Sequence, residues 1–147
     1  YEYARQAAFS QGVNHWYYQQ SNGASYADLH WSDQRMQWEG RSGCTIMGET
    51  FSCGYPFTTV LRHICQRDGT IQLSGSYQLL TDNQNDSLRI LHNQEEIAEY
   101  SCIEMPITLS LLRSVRCGDS ILFEIRNTEH HNFPLRAVLK PVIQYLV

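Results

Sequence analysis

Residues 116–125 read Arg-Cys-Gly-Asp-Ser-Ile-Leu-Phe-Glu-Ile, and this stretch decides the fold class. Arg116-Cys117-Gly118-Asp119 is rich in turn formers. Ile121, Phe123 and Ile125 then alternate strictly with Leu122 and Glu124. A period of two belongs to a strand that hides one face and wets the other. Glu124 is out of phase with the apolar set, so it is expected to face solvent.

Outward from this segment the same pattern recurs, with turn signals between its copies. Ile107 to Val115 and Leu135 to Leu146 flank it as strands. Thr70 to Leu80 alternates, with Ile71, Leu73, Tyr77 and Leu79 in phase, and Gly75 inside it suggests a bulge. Phe57 to Cys65 and Ser87 to His92 read as strands. Val13 to Gln19 is expected to be a strand with Trp16 and Tyr18 on the core face and His15 and Tyr17 outward. Ser21-Asn22-Gly23 is a tight turn, since Asn-Gly accepts the positive φ that hairpins need. Tyr26 to Trp31 returns, and shorter strands are expected at Arg35 to Trp38 and Thr45 to Met47. Gln94 to Tyr100 holds helix formers but is too short to make a convincing helix. About ten short strands without a long helix predict an all-β fold. The expected form is a jelly-roll-like two-sheet antiparallel β-sandwich, in one domain spanning 1–147.

Composition narrows the function. The 147 residues carry a net charge of −4, and Lys140 is the one lysine among eleven basic residues. No broad cationic face follows from this, so nucleic acid is an unpromising partner. No apolar run is long enough to span a bilayer as a helix, so no membrane insertion is expected. The chain starts at Tyr1 without a basic and apolar leader, which reads as a mature or trimmed product. Nine tyrosines, three tryptophans and many Gln, Asn, Ser and Thr suit sugar recognition, in which flat rings stack on pyranose faces and amides bond to hydroxyls.

Five cysteines (Cys44, Cys53, Cys65, Cys102 and Cys117) form no CxxC pair and no zinc spacing. Cysteines scattered among strands suggest disulfides and a secreted or extracellular protein. Cys44 with Cys53, across a short loop, is the favoured bond. Cys102 with Cys117, or Cys65 with either, stays open. The odd thiol offers a route to a homodimer. Asn85-Asp86-Ser87 is an N-glycosylation sequon, which would make Asn85 a glycan acceptor.

The run Phe9-Ser10-Gln11-Gly12-Val13-Asn14-His15-Trp16-Tyr17-Tyr18 is followed by Trp38-Glu39-Gly40, by Val60-Leu61-Arg62-His63 and by Gly69-Thr70-Ile71-Gln72-Leu73-Ser74-Gly75. Val115 to Asp119 and Ile121 to Ile125 come after these. Over nearly the whole chain this order resembles non-catalytic β-sandwich modules of secreted bacterial proteins, many of which accompany carbohydrate-active enzymes or cell-surface proteins. The resemblance implies a jelly roll and a lectin-like, glycan-binding role. The chain departs from the pattern at Cys65, where such modules tend to carry Trp, and in its number of cysteines.

Candidate glycan-binding residues are His15, Tyr17 and Trp31, as outward or rim aromatic groups. Asn127, His130 and Asn132 join them, from a polar loop that offers amide and imidazole groups within six positions. Asp82, Asn83, Asn85 and Asp86 form the one loop suited to a structural calcium ion, although it lacks EF-hand spacing; no other cofactor is implied. No nucleophile elbow, HExxH motif or phosphate loop is present. The expected function is therefore carbohydrate binding without catalysis. The alternative is a structural or protein-interaction module. A small polysaccharide hydrolase or lyase, with a carboxylate pair drawn from Glu39, Glu49, Asp68, Glu104 and Glu124, ranks behind both.

Overall fold

The structure is a computed structural model that describes residues 1–3, 9–54, 56–80, 87–101, 106–126 and 135–146. Its strands are β1 (Trp16–Ser21), β2 (Tyr26–Asp28), β3 (His30–Ser32), β4 (Gln37–Glu39), β5 (Thr45–Met47), β6 (Thr50–Cys53), β7 (Thr58–Ile64), β8 (Gly69–Leu79), β9 (Ser87–His92), β10 (Glu95–Ser101), β11 (Ile107–Val115), β12 (Ser120–Arg126) and β13 (Leu135–Leu146). They form two antiparallel sheets, ordered β10-β9-β12-β7-β1-β2 and β11-β8-β13-β6-β5-β4-β3. The fold is an all-β sandwich, as the alternating segments predict. Among the described residues no helix is long and apolar enough to cross a membrane.

The inner faces meet over a core dominated by large rings. Trp16, Tyr18, Phe51 and Phe123 are fully buried, and so is Tyr3. Tyr18 stacks flat on Trp38 at 4.4 Å between ring centroids, and Tyr3 packs against Trp16, Tyr18 and Phe51. The expected inward placement of Trp16 and Tyr18 is what the structure has, and Trp38 is buried with them.

Four local readings are corrected. Val13–His15 is a turn of 3-10 helix, not strand, because Asn14 and His15 take positive φ. Gln11 takes over on the open side of β1 where its ladder with β2 ends, at Gln19. Its side-chain amide accepts from the Tyr18 N–H and donates to the Tyr18 carbonyl, doing the pairing of a neighbouring strand. The single strand expected from Tyr26 to Trp31 is broken in two. Buried Leu29 is the corner at which the chain crosses from one sheet edge to the other, and its N–H bonds the Tyr18 carbonyl. Residues 95–101 are an edge strand despite their helix formers, because β9 offers them a ladder. Finally, no bulge occurs at Gly75, which pairs with Leu109 and Pro141 without a register shift. The strand β6 has no counterpart in the sequence reading.

The cysteines are also corrected. Cys44 carries no disulfide in the structure, so the expected Cys44–Cys53 bond is not formed, and Cys65 and Cys117 are likewise thiols. The Cys53 thiol instead donates to the Ile125 carbonyl at 3.3 Å. Cys102 lies outside the described residues.

Candidate functional site

Two clefts flank the turn between β1 and β2. The larger, of about 580 Å³, is lined by Gln20, Asn22, Asp28, His30, Glu39 and Arg41 around the ring of Phe57. It sits where β2 ends one sheet and β3 and β4 end the other. Its walls are set by local hydrogen bonds. Asn22 Oδ1 accepts from the N–H groups of Ala24 and Ser25, which fixes the hairpin tip. Buried Gln20 accepts from the Arg41 N–H at 2.8 Å. A Cβ on Gly40 would lie 2.1 Å from Gln20 Oε1, so the Trp38-Glu39-Gly40 sequence has a glycine where Gln20 must pass.

Charge in the cleft is fixed in the same way. Glu39 accepts from both Arg35 and Gln37, and these bonds hold its carboxyl down at about 2. It is ionised at every physiological pH and serves as an acceptor, not as a proton donor. Asp28 accepts from Gln19 at 2.9 Å. His30 and Asn22 are exposed.

The smaller cleft, of about 330 Å³, lies on the other side of the same turn and is lined by Ser21, Tyr26, Thr58, Arg89, Glu124 and Arg126 among others. Here the sequence reading of Glu124 is overturned. Glu124 does point away from the core, yet only 2% of it is exposed. The outer face of this sheet is itself covered. Arg89 donates twice to Glu124 Oε1, and Tyr26 donates to Oε2 at 2.5 Å. The Arg62 guanidinium lies 4.9 Å from the Tyr26 ring centroid. Beside this network Val60, Leu91 and Leu122 form a small second apolar cluster. Burial, reinforced by Glu124, pushes the Tyr26 hydroxyl up to about 12. Strict alternation gives the face of Glu124 but not its partners, which come from β2 and β9, far away in sequence.

Replacing Glu124 by alanine should strand the Tyr26 hydroxyl and the Arg89 charge. Arg89 is about one-third exposed, so water softens the loss, and roughly 2 kcal/mol of stability should go. Urea denaturation measures this, and a change within experimental error would show the network to be incidental.

The three sequence candidates among the described residues are not brought together. His15 is half-buried at the far end of β1 from the clefts, with its ring 6.0 Å from Tyr1. Tyr17 is half-buried on the outer face of the six-stranded sheet, opposite Arg62. Trp31 closes a small apolar pocket of about 140 Å³ with Phe9, Met36 and Trp38, and its indole N–H donates to Asp33. Its ring packs against Phe9 at 4.7 Å and Trp38 at 5.7 Å, which leaves it closer to a core lid than to a stacking platform. Asn127, His130 and Asn132 lie outside the described residues, as do the sequon Asn85 and the calcium candidates Asp82, Asn83 and Asp86. Among the described residues no group of three or more His, Cys, Asp or Glu is placed to hold a metal ion. Sequence reasoning missed Asn22, Asp28 and His30 as a group; the Asn-Gly turn that places the first was its only signal.

No family model matches the chain, and no curated protein matches it. Solved structures share its fold at low identity. The secreted serine protease VesC from Vibrio cholerae superposes with a TM-score of 0.52 at 17% identity, over 82% of this chain and 28% of the protease. The chain thus spans little more than a quarter of that protein's length. Rabbit GITRL gives 0.42 at 13% identity, over 89% of this chain and 94% of GITRL. A family 35 carbohydrate binding module from Clostridium thermocellum gives 0.39 at 9% identity, over 71% and 75%. Of these three, the likeness to VesC supports the fold, and the fold alone.

Proposed function

We propose that the protein is a carbohydrate-binding module without catalysis, working in an extracellular setting, and that the larger cleft is its binding site. The observation that carries this reading is the chemistry of the lining. Two amides, two carboxylates, an imidazole, a guanidinium and one aromatic ring line an open cleft of about 580 Å³. Neighbouring sugar hydroxyls need paired donors and acceptors of this kind, with a ring against the apolar face of the pyranose. Glu39 supports binding over acid catalysis, since a carboxyl held near 2 has no proton to give. Open, wet sites of this type bind single sugars weakly, so affinities in the millimolar to micromolar range are expected and linked copies would gain by avidity.

A glycan array tests the reading. Binding to a related group of glycans, competed by the free sugar, is expected. Asn22→Ala and His30→Ala should each weaken it by about tenfold, the scale of one lost hydrogen bond. His30 is exposed, so its replacement should leave folding unaffected, whereas Asn22→Ala also removes the two bonds that fix the hairpin tip and is checked by urea denaturation. A blank array with folded protein would move the assignment to a protein-interaction module.

A further inference from the structure

We propose that Cys65 and Cys117 are a disulfide-forming pair, which would lock the end of β7 to the turn between β11 and β12. The two cysteines are 52 positions apart, and the fold brings them together. Beyond the last ladder pair, Ser120 with Ile64, both backbone groups of Cys65 are held by the turn. The Cys65 N–H donates to the Asp119 carbonyl and its carbonyl accepts from Gly118, each at 2.8 Å. Cys117 is held to the same corner from its own side. Its N–H donates to Asp68, and its thiol donates to the Gln66 carbonyl at 3.1 Å, one residue from Cys65. Asp119 stiffens the turn by accepting from the Arg116 N–H and bonding His92. Burial raises the Cys65 thiol, against a hydrogen bond with Tyr145 that lowers it, and Asp119 and Cys117 are close enough to add to the rise. The Cys65 thiol is hydrogen-bonded to Tyr145, so closing the bond requires that this side chain leave that partner and turn toward Cys117.

Exposure sets the order of the chemistry. Cys117 is exposed and Cys65 is buried, so the first attack belongs to Cys117. Its thiolate attacks a small-molecule disulfide such as oxidised glutathione. The small S–S bond breaks, a mixed disulfide forms on Cys117 and one glutathione thiol leaves. The Cys65 thiolate then attacks the Cys117 sulfur and expels the second glutathione. Two protein thiols lose two electrons, one small disulfide gains them, and both cysteine protons leave on glutathione. Cys44 and Cys53 are both buried, so in the folded protein neither offers that first step.

The corner lies at the opposite end of β7 from Thr58, which lines the smaller cleft, so this inference stands apart from the glycan reading. The test treats the folded full chain with oxidised glutathione, blocks remaining thiols and maps peptides without reduction. A Cys65–Cys117 peptide is expected, with a rise in Tm of about 10 °C for a loop of this length. Cys117→Ser, at an exposed site, should abolish both changes while leaving the reduced protein's Tm in place. Cys102→Ser should leave both intact. Recovery of Cys117 bonded to Cys102, to a second chain or stably to glutathione would overturn the proposal.

Discussion

A Gly75→Ala protein should lose about 4 kcal/mol or more of stability, enough to leave much of it unfolded at 37 °C. One methyl group has this effect because of where β13 passes. A Cβ on Gly75 would lie 1.9 Å from the Lys140 carbonyl oxygen and 3.1 Å from Pro141 Cα. These are backbone atoms of the neighbouring strand, so no side chain can rotate away. Gly75 also has φ +108, a region that L-residues avoid. The partner strand needs this contact. Pro141 lacks an N–H and sits beyond the reach of β6, which pairs only as far as Val138. Gly23→Ala is the control: it also has positive φ but open space around it, and should cost only about 1 kcal/mol. Urea denaturation of the two variants measures the difference. Equal losses would mean that backbone conformation alone matters and the close strand approach does not.

The second large effect is a loss of stability in mild acid, traced to His63. Its ring is fully buried between Trp16, at 4.7 Å, and Tyr1, at 4.8 Å. Neither ring nitrogen has a hydrogen-bond partner among the described residues. Burial first, with His15 among the lesser causes, lowers its pKa from 6.5 to about 3. The unfolded chain takes up this proton near pH 6.5, while the folded chain refuses it until about pH 3. Between those values the unfolded state binds more protons, so stability falls as pH falls, by about 1.4 kcal/mol per pH unit. Roughly 2–3 kcal/mol should be lost between pH 6.5 and 4.5. Glu39 and Asp119, both held near 2, act with the same sign but only below about pH 4.5. The upper window therefore separates the histidine from these two carboxylates. His63→Phe should flatten the stability profile there, and an unchanged slope in that variant would assign the effect elsewhere.

Much of the sandwich is legible in the sequence because burial of one sheet face imposes a period of two. Ile121, Phe123 and Ile125, or Ile71, Leu73, Tyr77 and Leu79, can be assigned to the core from spacing alone. Legibility ends where the other face is covered too. Glu124 follows the rule for direction and breaks the rule for burial, since Tyr26 and Arg89 reach it from strands at 26–28 and 87–92. The larger cleft is hidden for a related reason. Asn22, His30 and Arg41 are polar residues in or beside turns, each ordinary alone, and only the crossing at Leu29 places them around one space. Gln11 shows the limit in another form: a side chain that acts as backbone leaves no periodic signal. Trp31 shows the converse, an aromatic residue beside a polar turn whose ring is already occupied by Phe9 and Trp38.

The β1–β2 hairpin stands between the two clefts, with Gln20 and Asn22 lining one and Ser21 and Gly23 the other. It is a ridge, and a ridge measures its cargo. If the larger cleft binds glycans as proposed, a ligand one ring long would rest on one slope and gain nothing from the other. A linear chain long enough to pass over the tip would touch both, and its second foothold would come without a second loss of translational freedom. Bending over the tip also selects linkages that tolerate a kink. The hairpin would thus discriminate by length and suppleness of the chain, through its outline and not through any single residue.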